Sequence, residues 1–249
     1  MEQERKVLID SHAFAMGRRA QSPAQPRRHL MTSKYKDTID WDKYWKKESA
    51  SENMIRGGKN MARRIGLFID RYEIQKVADF GCGPGITLFI LADKYPDLDF
   101  YGFDPSTSAI SQNRAKAVEL GLTKIHFDYD MLPDIRTNDG FDLVFCIAAL
   151  HYVEDIRTAI RNLYARVNDN GFLIFNYPNR FSLHAYRNQI RPDDAENRKR
   201  FSLIFNEKNL LTLEDIESVL GRRPMNFWKA VGEGPSRENN CVYLRRKAA

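Results

Sequence analysis

Cysteine is scarce: three residues, Cys82, Cys146 and Cys241, stand far apart in 249 residues, odd in number and without a CxxC pair. That excludes a disulfide framework and a zinc ribbon, and it points to a reducing, cytoplasmic setting. No apolar run approaches the roughly 18 residues needed to span a bilayer, so a soluble chain is expected. The N-terminus has no signal-peptide apolar core, and Glu2, Glu4 and Asp10 do not suit a transit peptide. No internal repeat is present. Nor is there a basic stripe interleaved with aromatics: the net charge of +6 gathers at the ends, around Arg18-Arg19 and Arg245-Arg246-Lys247. It reads as solvated surface and tails rather than a nucleic-acid patch.

What is present is an ordinary globular composition, 43% hydrophobic and 29% charged, long enough for one α/β domain. Residues 1–33, with prolines at 23 and 26 and little periodicity, read as a disordered extension to a domain over 34–249. Residues 34–57 form an N-terminal helical cap, in which Trp41, Tyr44 and Trp45 share one helical face. That face either packs on the domain or covers a ligand. A longer helix follows, carrying Met61, Ile65, Phe68, Ile69 and Tyr72 at helical spacing.

Strands then alternate with helices. Val77–Phe80 runs into a glycine turn; Phe100–Phe103 ends at Asp104; Ile125–Phe127 ends at Asp128; Phe141–Ile147 leads to Leu150-His151-Tyr152; and Phe172–Asn176 follows a helix. Such alternation predicts an α/β, doubly wound, mostly parallel sheet with helices on both faces. Two late strands, Met225–Ala230 and Cys241–Leu244, bring the count to seven and should pair antiparallel at one edge. Residues 178–211 break the pattern as an insertion that would lie over the ligand site.

In such a sheet a nucleotide binds at the carboxyl ends of the strands. Two further absences narrow the ligand. Counting from Gly81, the sixth position is Ile86 and not the glycine of a dinucleotide fingerprint, and Gly85-Ile86-Thr87 lacks the lysine of a phosphate-binding loop. A nucleoside without a phosphate chain fits, with Asp104 placed to accept from both ribose hydroxyls.

The segments Val77–Gly85, Asp104, Asp128–Pro133 and Phe141–Val144 with Leu150–Tyr152 together resemble the class I S-adenosylmethionine-dependent methyltransferases, over roughly residues 60–180. The resemblance implies a Rossmann-like fold and S-adenosylmethionine as cofactor. It implies that the backbone of Gly81, Gly83 and Gly85 approaches the methionine part, which Asp79 helps to position. Asp104 would hold the ribose, Pro105 would pack on the adenine, Asp128 would accept from its amino group, Tyr129 would touch the ring, and Ile147 would flank the sulfonium.

Methyl transfer needs a base only where the nucleophile must lose a proton. His151 is the candidate, with packing beside Tyr152 as its alternative role; His184 is a weaker candidate. No [DN]PPY follows the fourth strand, Cys146 lies within an apolar strand, and no carboxylate cluster at metal-ligand spacing follows it. A small-molecule acceptor methylated on O, N or S is the expectation; an RNA or protein methyltransferase, or a non-catalytic RNA-binding module, is the alternative. Trp41, Tyr44, Trp45, Tyr177, Tyr186 and Arg187 are the expected substrate contacts. Phe181, Phe201 and Phe205 add aromatic lining and Arg191 a second cation, while Arg198, Lys199 and Arg200 read as a solvated helix face.

Overall fold

A computed structural model describes residues 39–47, 52–189, 195–229 and 240–248; the extension over 1–33, Arg191 and the Phe181 side chain lie outside the described residues. The cap opens with α1 (Trp41–Lys47) and continues with α2 (Glu52–Arg71). The alternating unit is β1 (Lys76–Phe80), α3 (Ile86–Lys94), β2 (Asp99–Asp104), α4 (Thr107–Glu119), β3 (Ile125–Tyr129), β4 (Phe141–Cys146), α5 (Ile156–Ala165) and β5 (Val167–Tyr177). The insertion folds as α6 (Arg180–Gln189), α7 (Ala195–Arg200) and α8 (Ser202–Phe205), and the chain closes with α9 (Leu213–Leu220), β6 (Met225–Lys229) and β7 (Asn240–Arg245).

The sheet order is β3-β2-β1-β4-β5-β7-β6. The first five strands pair in parallel, and β7 lies antiparallel between β5 and β6. Because side chains alternate along a strand, the strands feed two cores. Val77, Leu143 and Phe145 pack with Ile65 of α2 and Leu88 of α3 on one face. Ala78, Phe80 and Val144 pack with Ile160 of α5 and Ile216 of α9 on the other. Each of the large side chains buried here contributes roughly 1.5–3 kcal/mol of apolar transfer. A third, smaller cluster of Leu183, Tyr186, Phe201 and Ile204 holds the insertion together.

Local signals set the element ends. Thr212 and Asp215 form a capping box at the start of α9, and Gly121 follows α4 in the left-handed region. Two boundaries differ from the sequence expectation. The cap boundary at 57 falls inside α2, which runs unbroken from Glu52 to Arg71 and whose Gly58 packs so closely on Ile86 that a Cβ there would come 2.6 Å from its Cγ2. β5 begins at Val167 rather than Phe172, since Val167 pairs with Phe141 before a register shift. Among the described residues, no helix is long and apolar enough to cross a membrane.

Candidate functional site

The strand order reverses between β1 and β4, and above the carboxyl ends of the strands there lies a cavity of about 1000 Å³. Its floor is the turn after β1. Gly81 sits at φ +85°, donates its N–H to the Phe103 carbonyl at 2.7 Å, and leaves no room for a side chain, since a Cβ would stand 2.4 Å from that of Ala149. At Gly83 a Cβ would come 2.9 Å from the Trp45 ring, so the cap rests directly on the turn. Glycine is required at both positions by conformation and by contact.

Asp104, at the end of β2, reaches over this turn. One carboxylate oxygen accepts from the Gly83 N–H at 2.8 Å and the other from the Ser106 N–H at 2.9 Å, while Asn113 donates to the Gly83 carbonyl at 2.8 Å. Asp79 lies beside it, buried. Burial pushes the Asp79 carboxyl well above the usual carboxylate range, and the neighbouring Asp104 pushes it the same way. Two acids buried together in this manner favour a cationic occupant.

The cap is latched across the cavity. Asp42 of α1 accepts from the Ser106 hydroxyl at 3.0 Å, the Thr107 hydroxyl at 3.0 Å and the Ser108 N–H at 2.9 Å, so it completes the N-terminus of α4 from outside the helix. Gln112 donates to the Trp45 carbonyl at 3.3 Å. Burial raises the Asp42 carboxyl, but these hydrogen bonds and Lys46 outweigh it and hold it below its ordinary value of 3.8. A depressed folded value stabilises docking above the unfolded pKa, and the contribution is lost as pH falls through the folded one. Acidification below about pH 4 is therefore expected to change the fluorescence of Trp41 and Trp45 before the sheet melts. In Asp42→Ala, docking should be about 1 kcal/mol weaker at neutral pH, and the acid-linked step should be absent.

The far wall comes from the segment after β4. Ala148 adopts φ +60°, and its N–H donates to the Asn176 side chain at 2.7 Å. A 3-10 turn follows (Leu150–Tyr152), held by Asn209, which donates to the His151 carbonyl at 2.9 Å. This turn presents a buried His151 and a partly buried Tyr152 to the cavity. The Tyr152 ring meets Trp41 edge-on at 4.9 Å, and Tyr186 of α6 closes over His151 at 6.2 Å. Burial pushes the Tyr152 hydroxyl up to about 12, with Arg200 pulling the other way.

A family of methyltransferase domains matches residues 78–173, from within β1 to within β5. Over these residues the chain is similar to methyltransferase domains. Among its relatives, trans-aconitate 2-methyltransferase of Variovorax paradoxus (strain S110) is 31% identical over 56% of this chain and 51% of its own. Malonyl-[acyl-carrier protein] O-methyltransferase 2 of Coxiella burnetii is 27% identical over 49% of this chain and 48% of its own. The chain thus spans about half the length of the curated relatives it matches. In fold it is similar to N-methyltransferase NodS from Bradyrhizobium japonicum WM9, in complex with S-adenosyl-L-homocysteine, at TM-score 0.59 and 17% identity over 84% of this chain and 100% of that one.

The sheet and its cap bring together most of the residues singled out from sequence. Trp41, Tyr44, Trp45, Asp79, Gly81, Gly83, Asp104, Pro105, Ile147, His151 and Tyr186 all line the cavity. Others do not. Asp128 points outward from the exposed side of β3, with 72% of its side chain accessible, and pairs with Arg114 at 2.9 Å. Tyr129 lines a separate depression beside it. Gly85 starts α3 in a left-handed conformation, but the space a Cβ would take is filled by Phe89 and Phe127, so its role is packing. Tyr177 is buried in the core beneath the sheet, and the exposed Arg187 pairs with Glu207. His184 is exposed beside Asn188, and Phe201 and Phe205 hold the insertion cluster rather than lining the cavity.

The cavity also contains residues that sequence reasoning passed over. Asp130 lies at its rim, two positions beyond Asp128, its carboxylate filled by the N–H groups of Met131, Arg136 and Thr137. Arg56 and Arg200 line it from α2 and α7. Arg200, expected on a solvated face, lies half-buried over the Tyr44 ring at 4.9 Å.

Proposed function

We propose that this chain transfers a methyl group from S-adenosylmethionine to an O, N or S atom of a small-molecule acceptor. The observation that carries it is the buried Asp79–Asp104 pair held against a glycine turn with no room for side chains. Such a floor accepts a nucleoside ribose at Asp104 and favours the positive charge of a sulfonium and an ammonium beside Asp79. The rim formed by Pro105, Asp130, Met131 and Leu132 suits a flat base. Arg56, on α2 beside the start of α3, suits the carboxylate of the donor.

The donor supplies an activated methyl group with a neutral thioether as leaving group. What the chain supplies is position: a rigid floor, walls from Ala148 and Tyr152, and a cap that excludes water. His151, fixed through its own backbone by Asn209, is proposed as the group that takes a proton from an acceptor that has one to lose. Closure by the cap and the insertion leaves a space suited to small molecules, and relatives include a trans-aconitate 2-methyltransferase. Three free, buried cysteines support a reducing, cytoplasmic setting.

Titration calorimetry with S-adenosylhomocysteine tests the donor site. Binding with a dissociation constant on the order of micromolar is expected; no heat at millimolar ligand with a folded protein would remove the donor site.

A further inference from the structure

The acids that line the cavity, Asp79, Asp104 and Asp130, all stand at its nucleoside end, at or just beyond the strand ends. Its two arginines are separated. Arg56 comes from α2, two residues from the glycine that packs on the start of α3, and belongs to the donor end. Arg200 comes from α7 in the insertion and lies over Tyr44 of the cap. Among the described residues, none of these acids forms an ion pair with it. Its ion-pair partner, Glu196, lies one turn back on the same short helix at 3.5 Å with 78% of its side chain exposed, whereas 25% of the Arg200 side chain is accessible. An exposed pair of this kind is weak and screened by water. The more buried guanidinium is therefore available to an anion that enters the cavity.

The groups around Arg200 are those of a planar-anion site. The Tyr44 ring lies 4.9 Å from the guanidinium carbon and covers one side of a group whose planar fork can grip a carboxylate through two parallel hydrogen bonds. Tyr152 lines the same space and stays protonated at neutral pH, so its hydroxyl is a donor. Trp41 and Tyr186 provide apolar walls for the carbon skeleton.

We propose that the methyl acceptor is a small molecule bearing a carboxylate, held by Arg200 and the Tyr152 hydroxyl between the cap and the insertion. This rests on the methyl-transfer reading above and adds the acceptor class to it.

The test uses the whole chain, labelled S-adenosylmethionine, and a panel of small mono-, di- and tricarboxylic acids beside their fully amidated counterparts. Label is expected on one or more acids and not on the matching amides. For the best acid, Arg200→Gln should raise KM about 10- to 100-fold with a smaller change in kcat, and Arg200→Lys, which keeps charge without the fork, should recover part of the loss. Affinity for S-adenosylhomocysteine should stay at the wild-type value in both variants. Arg187→Gln, on the outside of the insertion, should match wild type throughout. Amides labelled as well as acids, an unchanged KM in Arg200→Gln, or no labelled acid from a protein that binds S-adenosylhomocysteine would each overturn the carboxylate assignment and leave the donor site standing. A wild-type protein that fails to bind S-adenosylhomocysteine would instead sink the donor site, and this inference with it.

Discussion

Asp104→Ala is expected to weaken S-adenosylhomocysteine binding about 30- to 100-fold, equivalent to about 2–3 kcal/mol. Two losses combine. The variant removes the acceptor proposed for the ribose hydroxyls, and it strips the Gly83 and Ser106 N–H groups of the carboxylate that now satisfies them. Since the second loss disturbs the turn itself, Asp104→Asn halves it while still removing the acceptor. The amide retains one oxygen for a backbone donor and nearly the same shape, but it presents N–H groups where the ribose needs an acceptor. One of the two backbone N–H groups then faces the amide NH2, so the variant should melt between Asp104→Ala and wild type and still bind the nucleoside poorly. An Asn variant that binds S-adenosylhomocysteine as wild type does would take the ribose role from Asp104.

The strands, helices and glycine turn were legible in sequence because each rests on a local pattern: buried runs such as Phe141–Cys146, a 3.6-residue stripe along α5, and cap residues at Ser106 and Thr212. The floor residues Asp79, Gly81, Gly83 and Asp104 were legible for the same reason, since a residue at a strand end in this topology falls at the mouth of the sheet. The third wall was misplaced by strand phase. β3 is an exposed edge strand whose burial alternates, so Asp128 faces solvent and pairs with Arg114, and the chain must continue two residues past it to reach the cavity at Asp130. Nothing in Asp128-Tyr129-Asp130 distinguishes the two acids without the strand register.

The acceptor end was less legible because it is built from contacts between distant segments. Arg187 and Arg200 look alike along the chain. Which one enters the cavity depends on how α6, α7 and α8 fold on Tyr186 and Phe201 and where Tyr44 of the cap meets them. Tyr177 misled for a related reason: it ends a strand, as a site residue does, but its side chain faces the core with Phe175. The cap itself was legible as an aromatic face seeking a partner. That its partner is the glycine turn followed from Asp42, whose link to α4 spans more than sixty positions and leaves no local signature.

His151 carries the other large expected effect. Its place is set by the backbone: Ala148 turns the chain after β4 in a left-handed conformation, and Asn209 gathers the carbonyls of Leu150, His151 and Val153. The imidazole then stands at the cavity wall between Tyr152 and Tyr186. Asn209 holds the backbone of the turn whichever side chain stands at 151, so ring-preserving and polar replacements separate the two roles. If the ring only fills space, Phe should serve as well as His, since it supplies apolar bulk against Tyr186. If it takes the acceptor's proton, neither Phe nor Gln can replace it, and both His151→Phe and His151→Gln should lose kcat by about 100-fold, the lower end of what general base catalysis contributes. KM and S-adenosylhomocysteine affinity should remain near wild type, because the donor floor lies on the other side of the cavity. Turnover by His151→Phe within about threefold of wild type, with the acceptor found through Arg200, would assign the ring to packing and the deprotonation to the acceptor's own chemistry.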